Sequence, residues 1–142
     1  MTRSVDRRYI SIDSMTIMDV TELTLMELRK MCISFYNDEK EHIRSIILYG
    51  SAARAHLGHG DSPGDFDLNM FFSDKSAISS THGMPKIIGE LDGLEVEVMR
   101  NKVADEISID QYVDAQQSKR WKGIQTNPVV QIYPTIKRKS WG

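Results

Sequence analysis

The segment from Asp65 to Phe72 constrains this chain more than any other. Phe66, Leu68, Met70 and Phe72 alternate there with Asp65, Asp67, Asn69 and Phe71. A period of two is a strand with one greasy face, and the opposite face begins with two carboxylates. A second alternating run, Leu94 to Met99, sets Leu94, Val96 and Val98 against Glu95, Glu97 and Met99. The Asp92-Gly93 pair before it is a two-residue hairpin signal, which makes Lys86 to Leu91 the partner strand. Pro85 opening a short helix is the alternative for that stretch. Ser45 to Tyr49, apolar and partly β-branched, is stopped by Gly50 and reads as a buried strand. Val129 to Tyr133, fenced by Pro128 and Pro134, reads as the last strand.

Helical periodicity appears elsewhere. Leu25, Leu28, Met31, Cys32 and Phe35 recur at helical spacing, predicting a helix from Thr21 to about Phe35 with Thr24 and Glu27 as its capping box. Ala52 to Leu57 suits a short helix, and Ser108 with Gln111 caps another that runs to about Trp121. The glycines and the Pro-Gly pair between His56 and Gly64 specify a loop, as does the polar stretch Ser73 to Gly83. Strands and helices mixed in this order predict an α/β (α+β) chain of one domain over residues 1–142.

Composition narrows the function. A formal charge of −2 argues against a general nucleic-acid binder, and long nucleic acid is not the expected partner. The stretch from Ala115 to Gly142 holds Lys119, Arg120, Lys122, Lys137, Arg138 and Lys139 and no acid, so it carries +6 against −8 for the rest. It reads as a solvated basic tail able to steer an anionic substrate. No apolar run approaches the ~20 residues of a membrane span, and no apolar stretch follows Arg7 and Arg8, so no secretory signal is read and a cytoplasmic location is expected. Cys32 is the single cysteine and sits in the apolar helical stripe, which excludes an internal disulfide and disfavours thiol chemistry. His42, His56, His59 and His82 lack the cysteine spacing of a zinc site. Met15, Met18, Met26 and Met31 are read as core filling.

The chemistry is expected where three features meet: a buried strand ending in Gly50-Ser51, 13 intervening residues, and a strand opening Asp65-Phe66-Asp67-Leu68. Asp65 and Asp67, two apart on a strand, have Cα atoms roughly 6.6 to 6.8 Å apart and can converge on one point. Two carboxylates at ~4 Å repel by about 4 kcal/mol at an effective dielectric near 20, a cost that a divalent cation removes. Oxygen-only ligands suit Mg²⁺ or Mn²⁺. Gly50 lets backbone approach a phosphate, and the Ser51 hydroxyl and the amides of Ala52 and Ala53 can donate to it. Arg54, one turn on, is equally a phosphate contact or a surface arginine. The neighbouring strand offers Glu95 or Glu97 as a third carboxylate on the matching face.

The stretches Leu48-Tyr49-Gly50-Ser51-Ala52-Ala53-Arg54, Asp65-Phe66-Asp67-Leu68 and Val96-Glu97-Val98 resemble the DNA polymerase β-like nucleotidyltransferase superfamily, especially its minimal prokaryotic members. The similarity covers about residues 45–100. Four features depart from the family pattern: the 13-residue spacing is long, Ala55 stands where glycine is usual, Gly64 where serine is common, and Glu97 where an aspartate is usual. The resemblance implies a mixed sheet with helices on one face and the site on the other, binding a nucleoside triphosphate with two Mg²⁺ ions. Asp65 and Asp67 would hold both metals, and Glu97 would bind the second and help deprotonate an acceptor hydroxyl. The alternative, second to the enzyme, is a binding or regulatory module of the same fold, antitoxin-like, acting with or modifying a helical partner protein. A partner chain or homo-oligomer is compatible with either reading, and the acceptor is unspecified.

Overall fold

The alternating stretches become neighbours in one sheet. The computed structural model describes residues 9–12, 15–60, 62–81, 84–113 and 127–141. In chain order the elements are β1 (Tyr9–Ile12), β2 (Met15–Met18), α1 (Glu22–Phe35), 3-10 turns over Asn37–His42, β3 (Ile43–Tyr49), α2 (Gly50–His56), β4 (Phe66–Ser73), β5 (Lys86–Leu91), β6 (Leu94–Val103), β7 (Asn127–Tyr133) and β8 (Lys137–Trp141). β1 and β2 form their own hairpin, which the sequence reading did not anticipate, and the other six strands make one mixed sheet ordered β5-β6-β4-β3-β7-β8. Neighbours are antiparallel except β4 and β6, which run parallel. The chain is thus α+β.

The apolar face of each strand points to one side. Ile46 and Leu48, Phe66 to Phe72 at alternate positions, Val96 and Val98, and Val130 and Ile132 meet Leu25, Leu28 and Cys32 of α1 and Ala52 and Ala53 of α2. Full burial of each large side chain contributes roughly 1.5–3 kcal/mol, so this face carries most of the stability. Burial also pushes the Cys32 thiol up to about 12, which keeps it an unreactive core residue. The other face holds a smaller cluster of Ile47, Phe71, Val103 and Val129, closed by Val113 with Ile109 and Tyr112 beside it. Residues 109–113 are helical. The expectation that helices cover a single face is therefore corrected: this turn packs on the second face, because Phe71 and Val103 there need covering. Arg44 ties the preceding loop down by donating to the carbonyls of Val103, Ala104 and Ile107.

Several element ends differ from expectation. The cap of α1 is Thr21 rather than Thr24: Thr21 Oγ1 accepts the Thr24 N–H at 3.2 Å and Thr24 Oγ1 accepts the Thr21 N–H at 3.1 Å. α2 spans Gly50–His56 rather than Ala52–Leu57. Asp92 and Gly93 have φ of 53° and 83°, the pair of left-handed residues a tight hairpin turn needs, so β5 is a strand and not a helix opened by Pro85. Ser108 Oγ accepts the Gln111 N–H as expected, while the stretch from 114 to Trp121 lies outside the described residues. β7 is not the last strand, because β8 pairs with it. Lys137 and Arg138 thus belong to a strand rather than a solvated tail, and Arg138 donates to His56 Nε2 at 3.0 Å and pairs with Glu22. Met26 is 56% exposed rather than part of the core. No helix among the described residues is long and apolar enough to cross a membrane.

Candidate functional site

Sheet register builds the site. Asp67 on β4 lies opposite Tyr49 of β3 on one side and opposite Glu97 of β6 on the other. Directly paired residues share a face, and the core alternation sends Phe66, Leu68, Val96 and Val98 to the helix-covered side, so Asp67 and Glu97 emerge together on the other. Asp65, one residue before β4, joins them: one carboxylate oxygen from each of Asp65, Asp67 and Glu97 lies within 4.8 Å of the others. All three side chains are half-buried. Glu95, left open by the sequence as an alternative to Glu97, pairs instead with Glu90 across the β5–β6 hairpin.

Three carboxylates this close oppose one another's ionisation. Burial, with the charge of Asp65 and a hydrogen bond to its carboxyl, pushes Asp67 up to about 6. The hydrogen bond to Asp65, followed by burial and the charges of Asp65, Asp67 and Glu95, pushes Glu97 up to about 7. The group therefore shares protons close to neutral pH. A divalent cation could replace those protons, and an all-oxygen donor set fits Mg²⁺ or Mn²⁺ better than a soft metal.

The Gly50 turn supports this group from below. Gly50 has φ +71°, and a Cβ built there would lie 3.1 Å from Asp67 Oδ2. Both facts demand glycine: the backbone is left-handed, and the carboxylate occupies the space of a side chain. Ser51 Oγ accepts the Gly64 N–H at 3.3 Å, which fastens the loop entering Asp65 to the start of α2. Ala52 and Ala53 are fully buried in the core and lock α2 to the sheet. Arg54 sits half-buried on the same short helix. The structure thus joins Gly50 to Asp67 and Ser51 to Gly64, and gathers Asp65, Asp67 and Glu97.

Two polar residues on the same face were not singled out from the sequence. Asn69 of β4 and Asn101 of β6 share a hydrogen bond, Nδ2 of Asn101 donating to Oδ1 of Asn69 at 3.2 Å. Their signal was available: asparagine is depleted in strands, and each lies at an even step from a site carboxylate. Comparison of the chain with protein-family models, with curated protein sequences and with solved structures finds no match in any of the three.

Proposed function

We propose that this chain is a metal-dependent nucleotidyltransferase that moves a nucleoside monophosphate from a nucleoside triphosphate to an acceptor hydroxyl, releasing pyrophosphate. The observation that carries the reading is the convergence of Asp65, Asp67 and Glu97 oxygens within 4.8 Å beside a glycine turn. Among the described residues, what shifts Asp67 and Glu97 is burial and neighbouring acids, all raising them, where a structural ion-pair network would place a lowering cation.

In this reading Asp65, Asp67 and Glu97 would hold Mg²⁺ or Mn²⁺, two ions per site, and the metal would supply Lewis-acid charge at the reacting phosphate. Gly50 leaves the backbone bare so that a phosphate can approach, Ser51 offers a hydroxyl donor, and Arg54 offers a positive charge. The acceptor oxygen forms a bond to the α-phosphorus as the bond to pyrophosphate breaks, in line. With the cations in place Glu97 would be ionised, and as a carboxylate it would take the proton of the attacking hydroxyl.

The test is calorimetric titration of each nucleoside triphosphate with Mg²⁺, with Mn²⁺ and with chelator, repeated on Asp67→Asn. Cation-dependent binding that vanishes in the variant is the expected result. Triphosphate binding that persists in chelator or in Asp67→Asn would overturn the reading, as would no binding to any triphosphate.

A further inference from the structure

Asn69 and Asn101 are out of place in the middle of a sheet. β4 and β6 are interior strands, paired on both edges. The same face further along is apolar, with Phe71 following Asn69 on β4 and Val103 following Asn101 on β6, both buried. Valine or leucine at 69 and 101 would extend that cluster, and asparagine is among the residues strands disfavour. A mutually bonded polar pair can usually be replaced by apolar groups at little cost, so stability gives no reason for keeping it.

The pair is also incompletely used. An asparagine amide has two donor hydrogens and an acceptor oxygen. The single bond from Asn101 Nδ2 to Asn69 Oδ1 leaves Asn69 Nδ2 and Asn101 Oδ1, and among the described residues neither side chain has a further hydrogen-bond partner. Both residues are half-buried, so these atoms remain reachable. Asn69 lies two residues beyond Asp67 on the same face, a step of about 6.7 Å along the strand. That is the reach of one sugar ring from a phosphate held at the carboxylates. A donor group beside an acceptor matches adjacent hydroxyls, each of which both gives and takes a hydrogen bond.

We propose that the Asn69–Asn101 amide pair is a sugar subsite that binds the ribose hydroxyls of the nucleotide. The assignment rests on the nucleotidyltransferase reading, and its test separates the two. Calorimetry would compare Mn²⁺ alone, tripolyphosphate with Mg²⁺, ATP with Mg²⁺ and 2′,3′-dideoxy-ATP with Mg²⁺, on the unaltered chain and on Asn69→Val and Asn101→Val. The unaltered chain should bind ATP about tenfold more tightly than dideoxy-ATP, the effect of one to two neutral hydrogen bonds. Each valine variant should erase that difference and keep its Mn²⁺ and tripolyphosphate affinity, and the double variant Asn69→Val/Asn101→Val, which replaces both partners, should melt no lower than the original. Loss of Mn²⁺ and tripolyphosphate binding in the unaltered chain would defeat the nucleotidyltransferase reading itself. Equal binding of ATP and dideoxy-ATP, or an ATP preference that survives both valines, would overturn the sugar subsite alone. Unchanged discrimination in Asn69→Ser, which keeps a donor, against its loss in Asn69→Val would tie the effect to hydrogen bonding rather than shape.

Discussion

Replacing Gly50 by alanine perturbs the site through two separable effects. With φ +71°, alanine would sit in the left-handed region, a cost of about 1–2 kcal/mol. Its Cβ would also meet Asp67 Oδ2 at 3.1 Å, closer than ordinary van der Waals contact, so the carboxylate must retreat by a few tenths of an ångström. Gly60 provides the control, since it has φ +82° and nothing within 4 Å of a built Cβ. Gly60→Ala therefore incurs the backbone cost alone, reduced by the lower entropy of its unfolded chain. We expect Gly60→Ala to lose about 1 kcal/mol or less and Gly50→Ala about 1–3 kcal/mol. For a chain of this size that is a fall in Tm of about 3–10 °C for Gly50→Ala. Mg²⁺ demands near-ideal geometry where Ca²⁺ tolerates distortion, so the displaced oxygen should weaken Mg²⁺ about tenfold and Ca²⁺ much less. Thermal melts in chelator and titrations with both cations measure these effects. Gly50→Ala matching Gly60→Ala in both Tm and Mg²⁺ affinity would refute the claim that glycine is required for the carboxylate's position.

Other consequences can be checked more briefly. Asp67 and Glu97 are raised on folding, so the cation-free folded state binds protons more avidly than the unfolded chain; their contribution is full below about pH 4 and is lost as pH rises through about 6 to 7. The difference in stability between Asp67→Asn and the unaltered chain, measured in chelator, should therefore grow in the variant's favour between pH 5 and 8, and saturating Mg²⁺ should reverse the ranking. Arg44→Met removes the donor to three carbonyls and should cost about 1–3 kcal/mol, with faster amide hydrogen exchange at residues 109–113 than at β4. Thr21→Ala should lower stability by about 1 kcal/mol, a larger loss than Glu27→Ala, since Thr21 and not Thr24 caps α1.

The sequence revealed those elements whose signal is local. A period of two in Asp65 to Phe72 and Leu94 to Met99 was enough to place Asp67 and Glu97 on one face each, and Asp92-Gly93 was enough to make the hairpin. What joins these pieces is long-range and leaves no periodic trace. Glu97 rather than Glu95 meets Asp67 because β4 and β6 pair in parallel with that register, which neither strand encodes alone. β8 was missed because Lys-Arg-Lys-Ser-Trp has no alternating apolar pattern; it is an edge strand, where charge discourages pairing with other chains. The cap of α1 was displaced by three residues because Thr21 and Thr24 both fit a capping pattern, and only their reciprocal bonding distinguishes them. Arg44 carried no sequence signal because its acceptors are backbone carbonyls some sixty positions away.

The parallel pairing of β4 with β6 also makes the interior a proofreader of the acidic centre. Were β6 to slip by one residue against β4, Val96 and Val98 would turn outward and Glu95 and Glu97 would be driven under α1, a burial of charge that the fold would reject. The carboxylates are thus brought to a common point by selection against the wrong hydrocarbon arrangement, and not by any attraction between themselves. A chain that has buried its valines correctly has, by the same act, aimed its acids.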